Sequence, residues 1–382
     1  MNPELTVSTS LSKAHVLMLN NESRRVGKTF AAALSGDSLM YRRVARFLYH
    51  LAFTIAVSII SNGSLPSVTE ADEQMRLGLP VDCKLGLDCF VQQMPDVDPG
   101  PGTLDPLCGQ ATYQGHTGWD FRLRSFNDIA QDVSVIAVAD GTVSRVRDGV
   151  PDQIFDATND RRRLRDKECG NGMVIDHQGG LSSQYCHLKN GSLSVRPGTQ
   201  VRKGERIGSI GSSGVAEFPH VHLSVLRDGK FVDPLTGKAL GNEAHVCGDL
   251  SGSLLDSASR GALVQPTVAI LDVGLAGAPP ELHNLVRAGG PPLATGRSSQ
   301  TIAWLWAINV DAGSRFRIKM VGPDEVALID HTTTALPRRK ANYLAYVGRK
   351  VGVKAGAYRL TFEVTNGEKQ VTSKVRSFTV SE

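Results

Sequence analysis

Several features that would assign the chain to a broad functional class are missing from its sequence. Cys-x-x-Cys pairs are absent, which excludes the ligand spacing of a zinc ribbon. Clustered basic charge is also absent: the formal net charge of +4 is spread along the chain, so no nucleic-acid partner is indicated. The densest basic run, residues 161–165, is followed at once by Asp166 and Glu168 and is typical of a solvated loop.

One apolar segment, residues 47–60, bears on where the protein is found. It is shorter than the ~20 residues of a membrane-spanning helix. A basic stretch at residues 42–46 precedes it and the turn-prone residues 61–66 follow it, which is the order of parts in a signal peptide. A buried core helix is the alternative. We therefore predict an exported protein with no membrane span after signal removal.

The position of this signal in the chain is unusual. We assign the signal peptide to residues 40–63, which begin at Met40 rather than near residue 1. Residues 1–39 are therefore interpreted as an over-extended gene start or a disordered leader. Residues 64–110, rich in turn formers, are predicted to be an irregular segment pinned by cysteines.

Cysteine usage agrees with an oxidising compartment. An even number of cysteines, all after the signal and before residue 250, favours disulfides with fifteen possible connectivities. The six are Cys83, Cys89, Cys108, Cys169, Cys186 and Cys247. A hairpin is predicted where two strand-like runs flank residues 178–180, and it would bring Cys169 close to Cys186. We therefore predict that pair and leave the other partners open.

Short strands dominate the sequence after the signal. Between residues 111 and 235 strand-like runs alternate with turn signals, without intervening amphipathic helices, and this predicts an antiparallel β domain over 111–250. Residues 251–261, rich in Ser, Gly and Ala, are predicted to be a linker. Strict apolar–polar alternation then returns over residues 262–382, where roughly seven strands suit an immunoglobulin-like β-sandwich. That second domain carries no catalytic cluster, and a cell-envelope protein partner for it is left open.

Three fragments, residues 115–120, 185–188 and 219–223, carry the side chains that zinc hydrolysis requires. A catalytic zinc site takes three ligands from His and carboxylate side chains, and its water has a pKa lowered toward ~7. A base and a donor to the oxyanion are needed as well. His220 and His222 are two residues apart, so both imidazoles face one side of a strand. Either His-x-His or His-x-x-x-Asp alone is weak evidence, because such pairs occur often by chance.

Taken in order, the motifs resemble peptidase family M23, the lysostaphin- and LytM-type peptidoglycan metallopeptidases. The resemblance covers roughly residues 111–235, and the stretch 79–110 resembles a proteobacterial branch of the family. Its motifs are His-x-Gly-x-Asp at 116–120, Ala-Asp-Gly-Thr-Val at 139–143, Asn-Gly-Met-Val-Ile-Asp-His at 171–177, Tyr-Cys-His-Leu at 185–188, the run at 195–208 and Pro-His-Val-His at 219–222.

The resemblance implies a role for five residues. His116, Asp120 and His222 match the ligands of one Zn²⁺ ion. His220 matches the general base, or the group that orients the nucleophilic water, and His187 matches the histidine that stabilises the transition state. The implied fold is a mainly β, antiparallel metallopeptidase domain of the LytM/duplicated hybrid motif type, with a groove for an extended peptide.

The implied function is an exported zinc metalloendopeptidase that hydrolyses peptidoglycan peptides in the periplasm or cell envelope of a Gram-negative bacterium. The alternative is a catalytically silent or autoinhibited LytM-type module that binds and activates other cell-wall hydrolases. Such degenerate members usually lose ligands, whereas all five matched residues are present here. The bond that is cut and the oligomeric state are not indicated by the sequence.

Three departures from the family pattern bear on substrate preference. Leu223 and Ser224 follow His222, where the family often has an aromatic residue and a glutamate. Residues 148–168 resemble an insertion. The usual Ser-Thr-Gly before the His-x-His motif is replaced by residues 215–218.

Overall fold

Strands make up most of the regular structure in the described part of the chain. The computed structural model describes residues 76–160, 162–241, 246 and 248–382. The predicted leader at 1–39, the signal peptide at 40–63 and the start of the cysteine-pinned segment lie outside these residues. The described residues belong to one compact unit. In the described part, no helix has both the length and the apolar character needed to cross a membrane.

The first half of the described chain contains ten strands. They are β1 (Phe90–Gln93), β2 (Trp119–Arg122), β3 (Ser134–Ile136), β4 (Gly141–Arg147), β5 (Asn171–Asp176), β6 (Leu181–Leu188), β7 (Gln200–Val201), β8 (Arg206–Ser209), β9 (His220–Arg227) and β10 (Lys230–Val232). Short 3-10 turns cover Phe126–Gln131 and Gln178–Gly180. We call this half, residues 76–241, the peptidase half.

The main sheet of the peptidase half is antiparallel, as predicted. Its strand order is β1-β2-β9-β6-β5-β4-β7, and β10 pairs with the C-terminal end of β9. Strands β3 and β8 pair in a small separate sheet. In β2, Trp119 and Phe121 point into the hydrophobic core, as Val221 does from β9. Because side chains alternate along a strand, Asp120 and His222 emerge on the opposite face.

The predicted hairpin and its disulfide are confirmed. Strands β5 and β6 pair antiparallel across a turn in which Gly179 and Gly180 have φ values of 69° and 72°. A side chain disfavours such left-handed backbone, which explains glycine there. Cys169 and Cys186 form a disulfide with a Cα–Cα distance of 4.8 Å.

The cysteine-pinned segment is less irregular than predicted. A second disulfide links Cys83 to Cys89, and Cys108 is disulfide-bonded as well. The segment also contributes β1, which pairs with β2 through a bulge between Val91 and Gln93. The strand was not foreseen because four residues between turns show too little alternation to be recognised.

Residues 251–261, predicted to be a linker, are packed against the peptidase half. Leu255 is buried in the core of that half, and its backbone bridges to Leu77. Helix α1 (Ser257–Leu263) begins within the segment, and the Asp256 carboxylate accepts the Ser259 backbone N–H as its N-cap. This segment is therefore a folded connection.

The second half of the described chain is a two-layer β-sandwich, which we call the sandwich half. It contains helix α2 (Leu282–Ala288) and seven strands: β11 (Ala269–Ala276), β12 (Thr301–Val310), β13 (Ser314–Val321), β14 (Ala327–Thr332), β15 (Lys340–Arg349), β16 (Gly356–Asn366) and β17 (Lys369–Val380). The sheets have the orders β11-β12-β15 and β14-β13-β16-β17. Their inner faces share one core, so the predicted number of strands and the sandwich are confirmed.

The strand order of this half is compatible with an immunoglobulin-like sandwich. In the constant-type immunoglobulin order the fourth strand pairs with the fifth, giving sheets of four and three strands. Here the fourth strand, β14, pairs with β13 instead, so the sheets have three and four strands. The specific immunoglobulin-like assignment stays a prediction.

Strand β12 is buried on both faces. Ala303, Leu305 and Ala307 point into the sandwich core. Trp304 and Trp306 point the other way, into a separate apolar cluster that includes Phe90 of the peptidase half and Leu285 of α2. The outer face of this sheet is therefore covered rather than exposed.

Candidate metal centre

Strand register places two of the predicted metal ligands side by side. In the β2–β9 pair, Asp120 lies directly opposite His222, and Arg122 lies opposite His220. Residues that share a face and face one another across strands have Cβ atoms about 4.5–5.5 Å apart, which is within reach of one ion. The sheet thus brings one carboxylate and two imidazoles together by pairing alone.

The third ligand arrives from the turn before β2. His116 is 2% exposed, and its Nδ1 donates a hydrogen bond to the Met94 carbonyl at 2.7 Å. The chain reaches β2 through Gly118, where a Cβ would lie 2.6 Å from the His222 imidazole. Only glycine permits so close an approach, which gives a physical reason for the glycine of the His-x-Gly-x-Asp motif.

Three donor atoms converge at this point. His116 Nε2 lies 3.2 Å from His222 Nδ1 and 3.3 Å from Asp120 Oδ1. The separation between His222 Nδ1 and Asp120 Oδ1 is 2.8 Å. Zinc bonds of ~2.0–2.1 Å in a tetrahedron place two ligand atoms about 3.3 Å apart. The donor set and its spacing therefore fit a zinc ion with one further position open, and these residues form the one such group among the described residues.

Two hydroxyl groups lie behind His222. Its Nε2 is 2.9 Å from Ser224 Oγ, which in turn lies 3.4 Å from Thr117 Oγ1. A hydrogen bond from Nε2–H to Ser224 leaves the lone pair on Nδ1, the atom that faces Asp120 and His116. Ser224 stands where the family often has glutamate, so a neutral acceptor performs the orienting role here.

Two further imidazoles face the same space. His220 Nδ1 bonds to the Phe218 carbonyl at 2.8 Å, and His187 Nδ1 bonds to the Ser213 carbonyl at 2.8 Å. Since a carbonyl oxygen only accepts, each Nδ1 carries the hydrogen and each neutral ring keeps its lone pair on Nε2. The two rings lie 4.6 Å apart, and His220 Nε2 is 3.7 Å from Asp120 Oδ1.

His187 adopts an uncommon backbone conformation. Its φ is 64°, in the left-handed region that side chains other than glycine seldom occupy. The disulfide neighbour Cys186 precedes it, and the His187 backbone N–H donates to the Cys169 carbonyl. Such strain, worth on the order of 1–3 kcal/mol, persists where the surroundings hold a residue in place, and it is common at functional sites.

Burial and charge act against one another in this cluster. Burial lowers the pKa of His116, but the adjacent Asp120 carboxylate outweighs it and the net pKa is raised. Burial would raise the pKa of Asp120, yet His116 and His220 bring it well below its ordinary value. The pKa of His220 is lowered by burial, and that of His187 is lowered strongly by burial and by the charge of His220. Asp120 is thus ionised, and His187 is neutral, at neutral pH.

A tyrosine at the edge of the site was missed by the sequence analysis. Tyr113 is 52% exposed, and its ring centroid lies 4.5 Å from that of His116. Desolvation of the half-exposed side chain, together with the charges of Asp120 and of the exposed Glu217, raises the pKa of Tyr113, so its phenol keeps its proton. No motif marks Tyr113, and only the turn from 113 to 116 brings it beside the ligands.

The predicted insertion lies against the loop that precedes the His-x-His motif. The Asp152 carboxylate accepts the Ser212 backbone N–H at 2.7 Å, and the Phe155 backbone N–H donates to the Ala216 carbonyl at 2.8 Å. Ser213, whose carbonyl holds His187, belongs to the supported loop. The insertion therefore braces the partner of His187.

The other histidines lie elsewhere. His177 bonds to the Asp140 carbonyl and to Ser183 on a different part of the main sheet. His283 and His331 belong to the sandwich half. The remaining three, His15, His50 and His245, lie outside the described residues. The structure thus groups the five residues singled out by sequence and separates His177, His283 and His331 from them.

Comparison with known proteins confirms the resemblance stated from the motifs. Residues 114–234 match the model of Peptidase family M23. An uncharacterized metalloprotease of Haemophilus influenzae is 31% identical over 144 residues, covering 38% of this chain and 25% of that protein. The DD-carboxypeptidase/endopeptidase Mpg of Neisseria gonorrhoeae is 37% identical over 67 residues, covering 18% of this chain and 15% of that protein.

A solved structure is similar over a comparable stretch. It is a zinc-containing peptidase from Vibrio cholerae, with a TM-score of 0.24, 24% identity and coverage of 38% of this chain and 39% of that chain. The matched region spans a quarter or less of the length of the two relatives compared by sequence.

Proposed function

Because residues 114–234 are a domain of peptidase family M23, we propose that the protein is an exported zinc metalloendopeptidase that hydrolyses peptide bonds of bacterial peptidoglycan. The observation that carries the proposal is the convergence of His116 Nε2, Asp120 Oδ1 and His222 Nδ1 within 3.3 Å of one another. Two further histidines turn lone pairs toward the same space, and a binding protein has no need of them.

The three ligand residues present two nitrogens and one carboxylate oxygen, a set that suits zinc. A zinc ion bound there supplies Lewis-acid activation of a water molecule and of the scissile carbonyl. Backbone and hydroxyl contacts from Met94 and Ser224 fix the ring orientation of His116 and His222, so the donor atoms need little rearrangement to bind.

We assign the proton-accepting role to His220. Its Nδ1–H is committed to the Phe218 carbonyl, so the Nε2 lone pair is the atom available to take a proton from water. It is also close to Asp120, whose negative charge favours the imidazolium that forms. As the C–N bond of the tetrahedral intermediate breaks, the same Nε2–H can donate its proton to the leaving amine nitrogen.

We assign transition-state stabilisation to His187. Its Nδ1–H is likewise held by a backbone carbonyl, so only Nε2 is free to interact with the reacting group. Nε2 carries a hydrogen only in the imidazolium form, and the negative charge that develops on the oxygen as the carbonyl carbon becomes tetrahedral favours that form over the neutral ring of the free site, so that Nε2–H then donates to this oxygen. The exposed phenol of Tyr113 provides a second donor at the edge of the site.

The substrate assignment rests on the family and on the predicted export of the protein. Peptidoglycan peptides lie outside the cytoplasm, and the predicted signal peptide at 40–63 accounts for export. The disulfides of Cys83–Cys89 and Cys169–Cys186, and the disulfide-bonded Cys108, agree with an oxidising compartment. A peptide is an extended chain, and Tyr113 and Glu217 lie at the exposed rim where its side chains would pass.

The test is digestion of purified Gram-negative peptidoglycan by the zinc-loaded mature protein, with products identified by mass spectrometry. We expect new peptide termini that identify the bond cut. His220→Ala should remove them while zinc stays at one ion per chain. His177→Gln is the matched control, because His177 lies on the same sheet but outside the cluster, and its products should equal those of the wild type.

Two outcomes would contradict the proposal. Products of equal yield from His220→Ala would remove His220 from the mechanism. Absence of products from a wild type that binds one zinc would indicate the alternative, a silent or autoinhibited module that acts on other cell-wall hydrolases.

A further inference from the structure

A fully buried arginine lies beside the candidate metal centre. Arg122 is 0% exposed, although it is the last residue of β2. It is on the same face of the strand as the ligand Asp120 and directly opposite His220 in β9. A charge in this position needs partners, because burying it without them is costly.

The partners of Arg122 are neutral. Its Nε and Nη2 donate to the carbonyls of Leu123 and Arg124, each at 2.9 Å. Its Nη1 donates to Gln92 Oε1 at 2.6 Å and to Asn342 Oδ1 at 3.2 Å. None of the ion pairs between described residues includes Arg122. Its position is thus set by the shape of the guanidinium fork and not by a carboxylate.

The guanidinium also lies between two aromatic rings from different halves of the protein. Its carbon is 4.5 Å from the centre of the Phe218 ring and 5.1 Å from that of Trp306. Both distances are within the ~6 Å range of cation–π attraction. Arg122 therefore joins the loop before β9 to strand β12 of the sandwich half.

Phe218 carries this contact to His220. The Phe218 carbonyl accepts the His220 Nδ1–H, and the two ring centroids are 4.6 Å apart. A shift of Phe218 therefore changes both the tautomer-fixing hydrogen bond and the packing of the imidazole. Arg122, Phe218 and His220 form a continuous line of contacts to the Nε2 that faces Asp120.

The sandwich half holds the other side of Arg122. Trp306 Nε1 donates to Asn342 Oδ1, the atom that also accepts from Arg122. Gln92 donates to the Ala341 carbonyl at 3.0 Å, and the Asn309 side chain donates to the Gln92 carbonyl at 2.9 Å. Strand β1 is thus held between β2 and the sandwich half.

From these contacts we propose that Arg122 is a positioning residue through which the sandwich half fixes the orientation of His220. The inference rests on the proposed function in one respect: it takes His220 to be the base. The sandwich half is then a part of the catalytic unit rather than an adaptor attached by a flexible linker. Trp306 and Asn309, which make contacts from this half, are 0% and 3% exposed, and Asn342 is half-buried, which agrees with a permanent interface.

The first variant is Asn342→Ala in the zinc-loaded mature protein, which changes the sandwich half and leaves residues 114–234 intact. We expect kcat for wall-peptide hydrolysis to fall ~10- to 100-fold, the size of effect that a small misplacement of a catalytic group produces. KM and the content of one zinc per chain should be unchanged. Measurements are made below the unfolding range of each variant, so that loss of folded protein is not counted as loss of kcat.

The second variant is Arg122→Lys, which keeps the charge but loses the fork and the stacking plane. It should lower kcat to a similar extent, and the double variant should fall no further than the lower single variant, because both act through one contact. The matched control is Arg376→Met. Arg376 also lies over an aromatic ring, Phe378, but within the sandwich half alone, so kcat should not change.

One measurement tests the positioning role of Arg122 without requiring hydrolysis, so its failure can be distinguished from failure of the proposed function. Nitrogen-15 NMR of the histidine side chains should show a protected Nδ1–H for His220 in the wild type. In Asn342→Ala that signal should shift or exchange faster, while the signals of His177 stay in place. If the wild type cuts no wall peptide, the proposed function fails and this measurement still decides the inference.

Either of two results would overturn the positioning role. One is a kcat within about 2-fold of wild type for both Asn342→Ala and Arg122→Lys. The other is an unchanged His220 signal in Asn342→Ala, which would make the contact between the halves purely structural.

Discussion

At the scale of single residues, the polarity of the groups that hydrogen-bond to the candidate metal ligands distinguishes this site. A histidine ligand binds best when its other nitrogen donates a hydrogen bond, and a carboxylate acceptor strengthens the ligand more than a hydroxyl does. Ser224 offers only a hydroxyl to His222. His222 is therefore oriented by a neutral group, without an added negative charge beside the candidate metal site.

Replacing Ser224 with alanine should weaken zinc binding. His222 Nε2 would lose its acceptor and the ring its fixed orientation, and loss of such a contact typically costs 10- to 100-fold in metal affinity. We expect about a tenfold weaker affinity in a titration against a competing chelator. Ser194→Ala serves as the control, since Ser194 is an exposed serine that bonds to the Arg206 carbonyl. Equal affinities in both variants would show that Thr117 or water replaces the contact.

His177 should make folding stability depend on pH. Burial lowers its pKa below the ordinary value of about 6.5, so the folded state favours the neutral ring. A lowered folded pKa means that the contribution to stability is complete above pH ~6.5 and is lost as the pH falls below it. In His177→Gln, the drop in melting temperature between pH 7 and pH 5 should be smaller than in the wild type. An equal drop in both proteins would assign the pH dependence to other groups.

The five site residues were accessible from the sequence because their motifs, read in order, resemble those of peptidase family M23, whereas spacing alone is weak evidence. His220 and His222 share a strand face by parity, and the glycine at 118 marks a close approach to the ligands. Arg122 was not accessible in this way. A charged residue at the end of a short strand is usually exposed, and only the packing of Phe218 and Trp306 around it reverses that expectation.

At the scale of elements, the β5–β6 hairpin links covalent structure to the site. The disulfide between Cys169 and Cys186 spans the two ends of the hairpin, and Cys186 lies opposite His222 in the β6–β9 pair. His187 follows directly. The crosslink therefore limits how far β6 can move relative to the catalytic strand β9.

Replacing both Cys169 and Cys186 with serine should destabilise the protein and disturb the site. A crosslink with a sequence separation of 17 residues stabilises a fold by about 3 kcal/mol through the entropy of the unfolded chain. Denaturant unfolding should show a loss of this order, and kcat should fall because His187 loses the support of its neighbour. The corresponding double change at Cys83 and Cys89, with a separation of 6, should cost less. A larger loss for the shorter loop would contradict this account.

In the sandwich half, the strands predicted by alternation have one face in a core and one in water. Strand β13 alternates between buried and exposed residues over its central part, and it was found by that alternation. Strand β12 has ten consecutive buried residues, so alternation is absent and its partner could not be inferred. The cover over its second face comes from residues far away in the chain, which no local pattern records.

At the scale of the whole molecule, the peptidase and sandwich halves share a contact that combines buried apolar side chains with hydrogen bonds. Phe90 packs in one cluster with Trp304 and Trp306, and Asn309 caps the carbonyls of β1. Separate domains joined by a linker usually unfold independently. A contact of this kind couples their unfolding.

Heating the zinc-loaded mature protein should therefore give a single calorimetric transition. Unfolding of one half would expose the apolar cluster around Phe90 and leave Arg122 without partners, so the halves should lose structure together. The ratio of calorimetric to van't Hoff enthalpy should be close to one. Trp306→Ala should lower the melting temperature and divide the transition in two. Two transitions in the wild type would show that the halves are energetically independent.

The place of Asn342 along the chain has a consequence for timing. A ribosome synthesises the three candidate metal ligands and both assigned catalytic histidines before it reaches Asn309 and Asn342. Until then Arg122 lacks Trp306 and Asn342, and Gln92 lacks Asn309 and Ala341. Under the proposed roles, a chain that ends before Asn342 would contain the five site residues without the contacts proposed to position His220, so its kcat should be lower than that of the full chain.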